Sequence, residues 1–150
     1  AMHRTLSMPA IRDGLLVIPD LAGLIHCLDV KTGKPHWTHD TLAAIWGSPL
    51  IADGKVYVGD EDGIVTVFRL AREKEVLAEN DMSDSIYSAP VAVGDILYIA
   101  TRRYLIAIGQ SGEADGDQDE SLAQLEQVLD EHAKGRAPIA NVVLANDDVP

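Results

Sequence analysis

A spacing of about 40 residues constrains this chain more than any other feature. Pro9, the pair Asp13-Gly14, Asp20 and Gly23 recur as Pro49, Asp53-Gly54, Asp60 and Gly63, each 40 positions later. A third copy opens at Ser88-Ala89-Pro90, with Pro90 lying 41 positions after Pro49 and its turn reading Gly94-Asp95 instead of Asp-Gly. Three copies with matched turns are hard to produce by chance, and self-similarity at this period marks a repeat architecture.

Each copy reads as short strands divided by turns. A Pro-headed strand at 9–12, 49–52 and 90–93 is followed by a Gly/Asp turn that suits a hairpin. Apolar runs follow at 15–18, 55–59 and 96–100, then a second turn, then third strands at 24–28, 64–68 and 104–108. These third runs are almost continuously apolar, as strands covered on both faces are. A fourth strand begins near Pro35 and near Lys74, and copy three has none before the sequence turns acidic. The expected fold is all-β, with β-propeller blades of four antiparallel strands. Residues 1–109 hold the blades, with repeats at about 7–46, 47–86 and 87–108. Residues 110–150 form an acidic linker, a helix over 121–134 and an extended tail.

The landmarks select a kind of propeller. No Gly-His…Trp-Asp pair is present, which argues against the WD type. The stretch from Cys27 to Trp37 carries Asp29, Thr32, Gly33 and Trp37 at the spacing of the docking motif in pyrroloquinoline-quinone-like propeller repeats, with Cys27 where that motif usually has Ala. The chain resembles that family over about residues 7–108. Asp29 and Thr32 can satisfy turn backbone, Gly33 supplies a left-handed position, and Trp37 can lie in the groove between blades. Copy two has lost the pattern, with Val67, Arg69, Arg72, Glu73 and Leu77 at these places and Leu77 expected to replace the tryptophan; copy three keeps only Ala107.

About 2.75 blades make an incomplete ring, because propellers close with about 4–8. The expectation is a C-terminal piece of a longer propeller, or copies that complete one another through open blade edges. In many propellers the last blade's missing strand comes from the other end of the chain.

Charge narrows the partners. The 150 residues carry 12 Lys+Arg and 24 Asp+Glu, a formal net charge of −12. Residues 1–109 account for −4 and residues 110–150 for −8. Such a chain repels phosphate, which excludes a nucleic-acid groove. No apolar run approaches the roughly 20 residues of a spanning helix, so no membrane span is expected. The partner expected is a protein or the remaining propeller blades.

Residues that carry chemistry elsewhere have plainer readings here. The resemblance raises the question of a quinone cofactor, since quinone-dependent dehydrogenases of this family stack it against two adjacent cysteines and coordinate calcium with Glu, Asn and Asp. One cysteine is present, Cys27, and no residue aligns with that ligand set. No catalytic residue and no cofactor are expected, pyrroloquinoline quinone with calcium being the alternative. Asp60-Glu61-Asp62-Gly63 begins like a calcium loop, but its twelfth position is Ala71, so a turn is the better reading. His26 and Cys27 point to opposite faces of a strand, and His36 and His39 are also split, so no metal site is expected. Trp46 and Tyr87 precede the Ser-Pro and Ser-x-Pro openings of copies two and three. They either pack between blades, the simpler assignment, or line a recognition surface. The resemblance implies a non-catalytic scaffold similar to envelope assembly factors, in the periplasm or outside the cell. The alternative is part of a quinone-dependent dehydrogenase whose catalytic residues lie outside this chain.

Overall fold

In a computed structural model, the structure describes residues 2–109. They form three antiparallel sheets and no helix. The helix expected over 121–134 and the acidic segment lie outside the described residues.

The first blade contains β1 (Ala10–Arg12), β2 (Leu15–Pro19), β3 (Leu24–Asp29) and β4 (Pro35–Asp40), hydrogen-bonded in that order. The second repeats it with β5 (Leu50–Ala52), β6 (Lys55–Gly59), β7 (Ile64–Arg69) and β8 (Val76–Asp81). The third holds β9 (Val91–Val93), β10 (Ile96–Ala100) and β11 (Leu105–Gly109), with no fourth strand among the described residues. The sheets are open blades of a partial propeller.

Turn chemistry sets these boundaries. Asp13 and Gly14 have φ of 52° and 78°, and Asp53 and Gly54 have 48° and 66°. Two successive positive φ values are what a type I′ hairpin demands, and Asp-Gly supplies them at low steric cost. In the third blade only Gly94 has positive φ, at 58°. A single positive φ at the first turn position is the type II′ requirement, which explains why the order reverses to Gly-Asp.

Alternation along the strands gives each blade two apolar faces, and the core lies between blades. Leu15, Val17, Ile25, Cys27 and Trp37 of the first blade meet Val56, Val58 and Phe68 of the second, with Ile45 between them. The opposite face of the second blade presents Val65 and Val67 to Ile99 of the third, with Ile86 in the place of Ile45. Burying such side chains contributes about 1.5–3 kcal/mol each, the main force holding blade to blade. On the third blade Val91, Val93, Ile96 and Leu105 stay exposed.

The change of period from 40 to 41 has a definite location. Asp29 N–H donates to the Lys34 carbonyl across the outer loop of the first blade, whereas Arg69 N–H donates to the Glu75 carbonyl in the second. The second loop is therefore one residue longer. Each blade has a β-bulge just inside this loop, so that Cys27 faces Trp37 and Val67 faces Ala78. The place of Trp37 falls to Ala78, not to Leu77 as expected; the extra loop residue moves Leu77 into the bulge, the position of His36.

Turn two of each blade is built on a carboxylate. Asp20 Oδ1 accepts from the N–H groups of Ala22 and Leu24, and Oδ2 lies 3.1 Å from His26 Nε2 and accepts from His3 N–H. Asp60 Oδ1 accepts from Ile64 N–H in the same way. The third blade has Thr101 there, and the carboxylate comes from elsewhere. Asp84, on the connector from β8, accepts from Thr101 Oγ1 at 2.9 Å and from Arg103 N–H at 2.8 Å.

Candidate functional site

The segment leading into each blade carries an exposed large side chain at an equivalent position. Leu21 N–H donates to the Arg4 carbonyl, Glu61 N–H to the Ala44 carbonyl and Arg102 N–H to the Ser85 carbonyl. This one bond, made three times, sets Leu6, Trp46 and Tyr87 two residues beyond the accepting carbonyl. The connectors also touch. Ser7 Oγ donates to the Gly47 carbonyl at 2.7 Å, and Met8 N–H donates to Ser48 Oγ at 2.9 Å. A Cβ at Gly47 would collide with the Ser88 carbonyl, so glycine is needed where the second connector presses on the third. Leu6, Trp46 and Tyr87 thus form a row across three blades, 57%, 39% and 44% exposed.

Trp46 and Tyr87 meet within this row. Their ring centroids are 6.1 Å apart and the ring planes cross at 66°, the edge-to-face arrangement that opposing ring quadrupoles favour. Glu61 joins them from the turn between β6 and β7. Trp46 Nε1 donates to Glu61 Oε2 at 3.1 Å, and the Tyr87 hydroxyl donates to Glu61 Oε1 at 3.3 Å. Both polar hydrogens are thereby satisfied while much of each ring stays open to solvent. Glu61 was read from sequence only as a turn residue. The available signal was internal: positions 21, 61 and 102 are equivalent yet hold Leu, Glu and Arg, a variation that backbone turn geometry does not require.

The docking-motif residues sit at the opposite end of the first blade. Asp29 Oδ1 accepts from the N–H groups of Lys31 and Thr32 and from Thr32 Oγ1. These bonds hold the Asp29 carboxyl below its usual range, the Thr32 hydroxyl contributing most. Gly33 takes φ of 67°. Trp37 is buried, stacks on Phe68 of the next blade at 5.2 Å and 27°, and donates from Nε1 to the Ala71 carbonyl at 3.0 Å. The second blade has Arg69 where the first has Asp29, and an Arg69–Glu75 ion pair spans its longer loop.

The histidines and the cysteine are dispersed. His26 rests on Asp20, while Cys27 is buried toward the second blade, its thiol pushed up to about 11 by that burial. His39 meets the Phe68 ring edge-on at 5.0 Å, and burial, with the Lys74 charge, lowers its pKa below the usual value. His36 Nε2 is buried without a partner. Among the described residues no three His, Cys, Asp or Glu side chains gather so as to hold a metal ion. With one cysteine in the whole sequence, the adjacent pair implied by the quinone enzymes is also missing. The described residues do not fit a quinone–calcium group.

Blades of this topology, with Trp37 packed on the neighbouring blade and the turn of Asp29, Thr32 and Gly33 beside it, resemble those of pyrroloquinoline-quinone-like β-propeller repeats. Residues 3–74 match the family model described as outer membrane protein assembly factor BamB. Among solved structures, BamB from Moraxella catarrhalis is similar at 23% identity and a TM-score of 0.59, over 71% of this chain and 33% of that one. Quinohemoprotein alcohol dehydrogenase ADHIIG from Pseudomonas putida HK5 is similar at 19% identity and a TM-score of 0.63, over 73% of this chain and 19% of that one. The computationally designed Ika8 protein is similar at 14% identity and a TM-score of 0.58, over 70% of this chain and 36% of that one. At these identities the likeness is one of fold, and the chain spans about a third of the BamB structure. No curated protein matches it by sequence.

Proposed function

We propose that this chain is a non-catalytic propeller module that binds a protein partner in the cell envelope through the Trp46–Tyr87 face. One observation carries the reading. Two large aromatic side chains from adjacent blades stand side by side, with their polar hydrogens held by Glu61 and their rings 39% and 44% exposed. Tryptophan and tyrosine dominate binding hot spots because they offer large rigid area at small entropy cost. The likeness to BamB supports the envelope setting and a scaffold role. Val91, Val93, Ile96 and Leu105 form a separate apolar surface, for which the expected occupant is another blade.

A second reading, part of a quinone-dependent dehydrogenase, is favoured by the fold likeness to the quinohemoprotein enzyme. Two experiments divide the readings. A photo-crosslinker at position 87 should capture an envelope protein, and Trp46→Ala should abolish that capture. Titration of the purified chain with pyrroloquinoline quinone and calcium should leave no bound chromophore. Stoichiometric quinone binding would transfer the assignment to the second reading, and capture unaffected by Trp46→Ala would remove this face from it.

A further inference from the structure

We infer that the corner between Trp46 and Tyr87 receives a cationic side chain, arginine or lysine, from a basic segment of the partner. This rests on the protein-binding role proposed above and names the chemistry it recognises. A cation within about 6 Å of an aromatic centroid is attracted by the ring's negative face. Two rings whose centroids are 6.1 Å apart, inclined at 66°, leave a mouth from which one cation can reach both.

Glu61 makes the corner selective. Each of its oxygens accepts one hydrogen bond, from Trp46 Nε1 or from the Tyr87 hydroxyl. A carboxylate has about four lone-pair sites, so it retains acceptor capacity for a guanidinium or ammonium. Its two aromatic donors also fix its position before any partner arrives, which reduces the ordering cost of binding. Asp62, exposed beside it, adds negative charge to the same turn.

The nearby arginines are engaged elsewhere. Arg103 Nε lies 3.3 Å from Asp84 Oδ1 with its guanidinium over the Tyr104 ring, and Arg102 Nε lies 3.7 Å from the same carboxylate oxygen. Asp84 draws both toward the third-blade turn, which leaves the corner open to a cation from outside. The net −4 of residues 1–109 favours the approach of such a segment.

The test uses the full 150-residue chain and short synthetic peptides of one apolar host sequence, carrying arginine, serine or glutamate at the same positions. Calorimetric titration should show binding of the arginine peptide, weaker binding of the serine peptide and none of the glutamate peptide. Tyr87→Leu keeps apolar area but removes the π face and the hydroxyl; it and Glu61→Gln should each weaken the arginine peptide by roughly 3- to 30-fold. Emission from buried Trp37, read in a Trp46→Phe background, should be unchanged in both variants and so confirms that they fold. Equal affinity for the arginine and serine peptides overturns the inference. So does an arginine affinity that Tyr87→Leu and Glu61→Gln leave unchanged, or no arginine-peptide binding at all. If the serine peptide binds equally and Trp46→Ala abolishes both, the cation is wrong but the protein-binding face stands. Crosslinked capture that survives Trp46→Ala removes the face itself.

Discussion

Two buried aspartates at equivalent turns have opposite electrostatics. Burial alone would raise Asp20, but the His3, Leu24 and Ala22 N–H groups and the His26 ring together hold it below its ordinary 3.8. Asp60 has Thr66 where the first blade has His26, and burial pushes it above 3.8 despite the bond from Ile64 N–H. The stabilisation tied to Asp20 is therefore present above pH 3.8 and lost as pH falls through its lowered folded value. The contribution of Asp60 is full below 3.8 and lost as pH rises through its raised folded value. Asp60→Asn, which keeps an oxygen for Ile64, should melt at or above the wild type at neutral pH, and the gap should close in acid. Asp20→Asn places an amide N–H against the donor of His3 and should cost about 1–3 kcal/mol at neutral pH. Thermal melts across pH 3–8 check both; parallel profiles for the two variants would remove this account.

At the scale of the element, the third-blade turn substitutes one residue for another across a distance. Thr101 stands where its predecessors have Asp, and Asp84 stands where the preceding connector has Ala43. Gly23 and Gly63 confirm that equivalence, since a Cβ on either would run into the backbone carbonyl of Ala43 or Asp84 respectively. Thr101→Asp alone sets two carboxylates together and should lower the melting temperature. Adding Asp84→Ala recreates the second-blade arrangement, so the double variant should melt above Thr101→Asp. If it melts lower still, Asp84 does not occupy the missing aspartate's place.

The strands were legible to within a residue or two because hairpin turns announce themselves through Gly and Asp. This exchange between Thr101 and Asp84 was not, because a carboxylate supplied from another element leaves no local pattern. Ala78 was hidden for a related reason: the outer loop of the second blade gained a residue without any landmark, so counting from the first blade pointed to Leu77. Trp46 and Tyr87 were visible by position, but Glu61 emerged only when the turn was folded against both.

Across the whole molecule the two blade junctions are unequal. Among the described residues the first buries nine apolar side chains, Trp37 with its bond to Ala71 among them, while the second buries four and has Ala78 in the tryptophan's place. Trp37→Ala should cost about 3–5 kcal/mol, the range for large aromatics removed from a core. Denaturant unfolding, followed by hydrogen exchange at each junction, should show protection at the first junction falling toward that of the second; an unchanged midpoint would contradict the role given to Trp37.

The extra residue in the outer loop of the second blade has a consequence for how such a chain tolerates change. The bulge beside that loop is the same in both blades, so the added residue is confined to the loop. The next connector still meets the turn with the same backbone bonds, Arg102 to Ser85 as Glu61 to Ala44. Each blade sets its own phase at its inner turns, so a miscount at the circumference is forgotten before the chain returns to the axis. The circumference is thus free to vary in sequence and length, while the face that carries Trp46 and Tyr87 keeps its geometry.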